Sequence, residues 1–272
     1  MTLEERARRI RRHVVAMAAT PQGCHAGGSL SCADILAVLY FDVLRVRPEE
    51  PDWPDRDHFV LSKGHAGAAL YAALAERGFL PVEELATYAR TGGRLAGHPL
   101  RLLPGVELPT GSLGHGLALG LGLALADRLD GRSARTFVLM GDGELQEGSV
   151  WEALIPAAHQ RLDNLVAIVD RNGWQITGPT EEVAALEPLA ERFAAFGWTA
   201  REVDGHDVEA LRAALREAPA APGRPTAIVA RTVKGRGVPF LEGRKRGHYV
   251  RLSPDMERRA AASLAPRPAR RA

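Results

Sequence analysis

Downstream of residue 135, short and continuously apolar runs alternate with segments whose apolar positions recur at helical spacing. Residues 136–140, 165–170, 199–203 and 226–230 read as strands, and 145–160, 186–196 and 208–217 as helices. Apolar strands separated by helices predict a parallel sheet covered by helices on both faces. Upstream, Ile10, Val14 and Met17 mark an amphipathic helix over 3–19. A second helix is expected over 31–44, where Ser31 and Asp34 have capping spacing. Gly23, Gly27 and Gly28 between them predict a flexible loop. Residues 58–61 read as a strand and 66–77 as a helix, whereas 78–109 is rich in Gly and Pro, with room for one short helix near 82–88. Residues 112–129 form a helix apolar over much of its surface, which predicts burial. No repeat or linker interrupts the pattern. One α/β domain over 1–262 is expected, followed by a basic, flexible tail over 263–272.

The composition, 46% hydrophobic and 25% charged, is that of a chain that buries a core. The net charge is +2, and its excess base sits at the two ends, on Arg6, Arg8, Arg9, Arg11 and Arg12 and on Arg267, Arg270 and Arg271. No nucleic-acid reading element accompanies these arginines, so no nucleic-acid partner is expected. Cys24 and Cys32 have neither a disulfide framework nor metal-ligand spacing and read as small buried thiols. The first helix is too charged for a secretory leader. The longest apolar run, 116–126, is well short of the roughly 20 residues of a membrane span. A cytoplasmic protein with no membrane partner is expected.

Chemistry concentrates where two apolar strands end. One runs into Gly141-Asp142-Gly143 and the other into Asp170-Arg171-Asn172-Gly173. Ligands of open parallel sheets bind beyond the carboxyl ends of the strands. If these strands are neighbours, Asp142 and Asn172 project into one crevice. A carboxylate and an amide oxygen suit Mg²⁺, which completes its octahedron with phosphate oxygens and water. Gly141 and Gly143 would let backbone N–H groups approach a diphosphate, and a helix from Glu144 would present its N-terminus to the same anion.

These residues belong to a longer series. Gly-Cys-His-Ala-Gly-Gly-Ser-Leu at 23–30, Leu-Ser-Lys-Gly-His-Ala at 61–66, Ala-Gly-His-Pro at 96–99 and Thr-Gly-Ser-Leu-Gly-His-Gly at 110–116 precede Gly-Asp-Gly-Glu-Leu-Gln-Glu-Gly at 141–148. Gln-Ile-Thr-Gly at 175–178 and Thr-Val-Lys-Gly-Arg-Gly at 232–237 follow. Collinear across nearly the whole chain, the series resembles the diphosphate-binding, N-terminal part of the transketolases, a family of thiamine diphosphate enzymes. The resemblance implies that Mg²⁺ (or Ca²⁺ or Mn²⁺ in its place) is held by Asp142, the side chain of Asn172 and the backbone carbonyl of Trp174. It implies that Gly141 and Gly143 border the diphosphate, with Gly143 donating its N–H, and that Lys63 and His65 lie near its charge. Gly111 and Leu113 would line the pyrimidine or central part of the cofactor, and Lys234 would sit on a loop near the diphosphate. His25, His65, His98 and His248 would be the catalytic histidines, with His25, His98 and His248 at the donor sugar's oxygens. His115 would lie at a helix start near the site. The segment Arg246-Gly247-His248-Tyr249 departs from the family's aromatic-His-Gly pattern, which leaves the substrate contact of His248 open.

The resemblance further implies transfer of a two-carbon ketol unit from a ketose (phosphate) to an aldose (phosphate). The family's cofactor-activating carboxylate lies on a pyrimidine-binding domain outside the matched stretches. A separate C-terminal subunit carrying that domain and the one after it is therefore expected, two copies of each assembling, with Glu147 facing the partner. Three other readings stay open. Another thiamine diphosphate carboligase is one: a type making a deoxysugar phosphate from pyruvate and an aldehyde would differ at 23–30 and 96–99, whereas a specialised biosynthetic ketol transferase would carry its distinguishing contacts in the partner. A dinucleotide-dependent oxidoreductase would need Thr110–Gly116 to follow a strand. A non-catalytic regulatory homologue would have no use for Asp142, Asn172 and His65.

Overall fold

The computed structural model describes residues 1–265. Its centre is a parallel sheet of β1 (His58–Leu61), β2 (Thr136–Gly141), β3 (Leu165–Arg171), β4 (Thr199–Asp204) and β5 (Thr226–Arg231), in the order β1-β2-β3-β5-β4. β2 and β3 are neighbours, with Phe137 opposite Val166 and Gly141 opposite Asp170. Side chains alternate between two fully covered faces, which is why both strands are continuously apolar. Phe137, Leu139, Val166 and Ile168 pack beneath α1 (Leu3–Ala18), α3 (Ala33–Val38), α4 (Gly67–Arg77) and α9 (Val208–Arg216). Val138, Met140, Ala167 and Val169 pack beneath α5 (Gly116–Leu129), α6 (Gly148–His159) and α8 (Leu189–Ala195). β4, at the edge, carries charged or polar residues at exposed positions such as Glu202 and Asp204.

Several expectations from the sequence are corrected. Gly27 and Gly28 are not in a flexible loop; they are buried within α2 (Ala26–Ser31), packed so closely that a Cβ on Gly27 would lie 2.5 Å from the carbonyl oxygen of Gly247. The expected single helix over 31–44 is broken at Cys32 and ends in a π turn, Leu39–Val43. Ser31 and Asp34 do not cap it. Ser31 donates to Asp170 at 2.6 Å, and Asp34 pairs with Arg11 and His206. α5 begins at Gly116 rather than at 112, and only one of its faces is buried; Leu119 and Leu129 are exposed. No strand leads directly into Thr110, because 78–109 holds turns and a 3₁₀ helix, Val82–Thr87, so the dinucleotide-loop reading fails. The last helix, α10 (Pro254–Ser263), reaches into the expected tail, and Leu264 after it is buried in the core. The remainder of that tail, 266–272, lies outside the described residues. Among the described residues no helix is long and apolar enough to cross a membrane.

Candidate functional site

A cavity of about 380 Å³ opens at the carboxyl edge of the sheet. The four strand ends that reach it bring distant parts of the chain together. β1 runs into Ser62 and Lys63, β2 into Asp142, β3 into Asn172 and β5 into the loop carrying Lys234. Every residue singled out from the sequence as catalytic, cofactor-binding or metal-ligating lines this cavity: His25, Lys63, His65, His98, Gly111, Leu113, Gly141, Asp142, Gly143, Glu147, Asn172, Trp174, Lys234 and His248. His115 does not. It precedes α5, is exposed, and turns its Nδ1 to the Leu113 carbonyl at 3.1 Å.

The floor is a compensated charge cluster. Lys63, with 1% of its side chain exposed, pairs with Asp170, which is fully buried at the end of β3, and donates to the Gly28 carbonyl at 2.9 Å. Ser31 and Thr232 also donate to Asp170. Burial alone would neutralise both partners. Their mutual attraction outweighs it, so Lys63 is held above its usual pKa and Asp170 below.

Above that floor the balance changes. Asp142 is buried, with Oδ1 accepting from Gly143 N–H at 2.9 Å and Oδ2 from Gly173 N–H at 2.6 Å and Arg171 Nη1 at 2.8 Å. Its pKa is nevertheless raised, by burial first and then by the charge of Asp170. Glu144 is raised as well, chiefly by burial, although Gly114 and Gly141 N–H groups donate to it at 3.0 Å and Ser62 adds a hydroxyl. The expected helix N-terminus at Glu144 is instead a 3₁₀ turn, Gly143–Gln146, and α6 starts only at Gly148. Glu144 folds inward to hold the Gly141 and Gly114 backbones in place. The Gly143 N–H, expected to meet a diphosphate, is donated to Asp142.

Four imidazoles converge on the opposite wall. Ring centroids are 5.5 Å apart for His25 and His65, 5.7 Å for His25 and His98, 5.3 Å for His25 and His248, and 5.6 Å for His65 and His248. Burial, and then His98 and Lys234, lower the pKa of His25 to about 4. Burial, then Lys234 and His25, bring His248 to about 4. His65 is also lowered, by burial and then Lys63. Lys234, which approaches His248 Nδ1 at 3.2 Å, falls to about 8 through burial and the charge of Lys63. The unusual segment before Tyr249 thus still places His248 in the cavity. The rings of His25, His65 and His248, neutral near pH 7, can accept or donate one proton each at sugar oxygens.

The residues fit the implied cofactor and ion. Buried His25 Nδ1 and Gln175 Oε1 both belong to residues lining the cavity and have no hydrogen-bond partner, as expected where a polar ligand is to be received. Among the described residues no group of three or more His, Cys, Asp or Glu is placed to hold a metal. One carboxylate, one amide and one carbonyl are enough only for an ion whose remaining ligands come from phosphate and water. Sequence reasoning missed Glu144, Gln146, Gln175 and Ile176 in the lining and Asp170 beneath it. For Glu144 a signal existed, since a carboxylate directly after Gly-Asp-Gly sits where backbone N–H groups crowd together.

A family model described as "Transketolase, thiamine diphosphate binding domain" matches residues 3–268. The chain is 44% identical to a 6-deoxy-6-sulfo-D-fructose transketolase subunit from a Clostridium species, with 88% of each chain covered. It is 43% identical to a subunit of an apulose-4-phosphate transketolase from Phocaeicola vulgatus, over 91% of this chain and 88% of that one. Among solved structures, transketolase from Leishmania mexicana superposes with a TM-score of 0.91 at 34% identity, covering 97% of this chain and 41% of that one. The chain therefore spans about two fifths of the length of that solved transketolase.

Proposed function

The chain belongs to the transketolase family, matching its thiamine diphosphate binding domain, and from that premise we propose that it is the diphosphate-binding subunit of a two-component transketolase. In this reading it transfers a two-carbon ketol unit from a ketose (phosphate) donor to an aldose (phosphate) acceptor. A partner polypeptide carrying the pyrimidine-binding and C-terminal domains completes the site, with two copies of each subunit in the assembly. The names of the two relatives as subunits support a partner. So do the exposed carboxylate of Glu147 on the cavity rim and the exposed Leu119 and Ile155 of the neighbouring helices α5 and α6.

Thiamine diphosphate, when bound, supplies the carbanion and the electron sink. The protein's part is binding and proton handling. Asp142, Asn172 Oδ1 and the Trp174 carbonyl would hold Mg²⁺, which in turn anchors the diphosphate. Lys63 and Lys234 would face the anion's charge, with Gly143 beside it but its N–H engaged by Asp142, while Gly111 and Leu113 border the middle of the cofactor. His25, His65, His98 and His248 would orient the sugar's hydroxyl and carbonyl oxygens, and the lowered pKa values of His25, His65 and His248 leave those three rings free to exchange protons there near neutrality.

The observation that carries this reading is the meeting of Asp142 and Asn172, at the ends of adjacent strands, with four histidines in one cavity. Both named relatives act on sugars bearing an anionic group, so sulfonated and phosphorylated ketoses belong in the assay. Ketol transfer is expected from a mixture of the purified chain with its candidate partner, thiamine diphosphate and Mg²⁺, and not from either polypeptide alone. Robust turnover by this chain alone would refute the partner requirement. A mixture that binds the cofactor yet transfers no ketol unit would refute the transferase reading.

A further inference from the structure

His206 does not line the cavity. It sits in the turn between β4 and α9, and its side chain ends against the chain that carries Lys234. Gly205 allows that approach, since a Cβ there would lie 2.4 Å from Thr232 Cγ2, just beyond β5. The His206 side chain is 9% exposed, and both ring nitrogens are engaged. Nε2 accepts the Val233 N–H at 2.8 Å, and Nδ1 lies 2.7 Å from Asp34 Oδ2. A backbone N–H can only donate, so Nε2 is bare and the proton sits on Nδ1, donated to Asp34. Asp34 is kept an acceptor. Burial alone would raise its pKa; the bond from His206 and the charge of Arg11 outweigh burial and hold it below its usual range. Arg11 is braced in turn, with Nη1 donating to Asp34 Oδ1 at 3.0 Å and Nε to the Leu30 carbonyl at 3.2 Å. The row Arg11, Asp34 and His206 thus fixes one tautomer and aims its lone pair at Val233.

Val233 is the residue before Lys234. Lys234 is buried, and its Nζ stands 3.2 Å from His248 Nδ1 and 3.5 Å from the Gln175 carbonyl, both belonging to residues of the cavity wall. Three hydrogen bonds hold the backbone around it. Val233 N–H goes to His206, Gly235 N–H to the Gly27 carbonyl at 2.9 Å, and Gly243 N–H to the Lys234 carbonyl at 2.9 Å. Only the first ends on a side chain. Removing that acceptor leaves the Val233 N–H without its partner and frees the turn to shift, and small shifts of a positioning group weigh heavily on what it contacts.

We propose that His206 is a positioning residue for Lys234: its bare Nε2, held toward Val233 by Asp34 and Arg11, fixes the turn that lays the Lys234 ammonium against the place of a diphosphate. This inference rests on the reading of the cavity as a thiamine diphosphate site.

Asn and Gln divide the two contacts of the ring. The amide of Asn reaches as far as Nδ1 and that of Gln as far as Nε2, so His206→Asn keeps the bond to Asp34 and loses the one from Val233, whereas His206→Gln does the reverse. Amide hydrogen exchange at Val233 should be about tenfold faster in His206→Asn than in wild type, and within about twofold of wild type in His206→Gln. Titration calorimetry with thiamine diphosphate and Mg²⁺ should rank the proteins alike, with affinity lost about tenfold in His206→Asn and less than about twofold in His206→Gln. A merely structural role through Asp34 would make His206→Gln the weaker variant. Equal affinities in the two variants, or a weaker His206→Gln, would overturn the proposal. Nitrogen NMR of the wild-type ring should find the proton on Nδ1, and a proton on Nε2 would overturn the proposal even if neither variant folds. Absence of cofactor binding by wild type would remove the cofactor reading and this inference with it, whereas a protein that binds the cofactor without ranking the variants removes the inference alone.

Discussion

The two ends of the same strands treat buried charge in opposite ways. At the amino edge, Asp57 just before β1 is 1% exposed and receives five hydrogen bonds, three from Arg45 and two from Arg135. Burial alone would raise its pKa; the guanidinium and backbone donors outweigh it and hold the carboxyl below its usual range. At the carboxyl edge the innermost pair, Lys63 and Asp170, is equally well matched. One layer further out it is not. Asp142 and Glu144 are raised, His25 and His248 are lowered to about 4, and His25 Nδ1 has no partner at all. A fold that needs only to persist satisfies its buried charges. Where titratable groups are shifted this way beside a cavity, they mark a candidate ligand site.

The largest effect is expected at the matched pair beneath the cavity. Lys63→Met leaves the Asp170 carboxylate, with none of its side chain exposed, without its cation and should cost about 3–5 kcal/mol of stability in urea unfolding. A loss under about 1 kcal/mol would mean that the floor is not a structural charge pair.

Next come two substitutions that set the edges against each other. Asp142→Ala should cost less stability than Asp57→Ala, because burial and the charge of Asp170 offset what its donors contribute, yet weaken metal-dependent cofactor binding about a hundredfold. Asp57→Ala should do the reverse, costing about 2 kcal/mol by unfolding while the cofactor affinity of the folded protein holds. If both variants lose stability equally, the contrast between the edges is wrong.

The pH dependence separates the edges by window. His25 and His248 have folded pKa values near 4, below the ordinary 6.5, so the unfolded chain binds more protons between those limits. Their contribution is complete above pH 6.5 and is lost as pH falls toward 4, on the order of 1 kcal/mol per pH unit after allowance for the water that reaches both rings. The raised carboxyls of Asp142 and Glu144 act in the opposite sense, so the histidine share is read as the difference between wild type and a His25→Gln/His248→Gln variant. Asp57, with a lowered pKa, contributes above its unfolded value and loses that contribution only in stronger acid. Identical acid profiles for the two proteins would contradict the assignment. The smallest effect belongs to His115, exposed and outside the cavity: His115→Ala should change cofactor affinity by less than about 0.5 kcal/mol in calorimetry.

Much of this arrangement was legible in the sequence, for reasons that also mark where legibility stops. Asp142 and Asn172 could be paired because apolar strands declare a buried parallel sheet, and the ends of neighbouring strands share a crevice. His25, His65 and His98 could be singled out because small neighbours leave an approach to each ring. Gly27 and Gly28 misled, since glycine states what the backbone is free to do and not what tertiary contacts impose; only the nearness of Gly247 and of Lys63 makes that stretch a buried helix. α5 misled in the opposite way. Apolarity on all sides reads as burial within one chain, yet Leu119 and Leu129 face outward here. Glu144 and Asp170 were passed over because acidic residues are usually solvated, and their burial follows from distant partners, Gly114, Lys63 and Thr232, that local pattern does not reveal.

The claim that the carboxyl edge is short of partners because it is built to receive thiamine diphosphate and a dication is tested most directly by urea unfolding at neutral pH, with and without the two together. At a ligand concentration about a hundredfold above Kd, binding to the folded chain alone should add about 2.7 kcal/mol to its stability, with little gain from thiamine diphosphate in the presence of chelator. Unfolding curves that superimpose with and without both ligands would contradict the account.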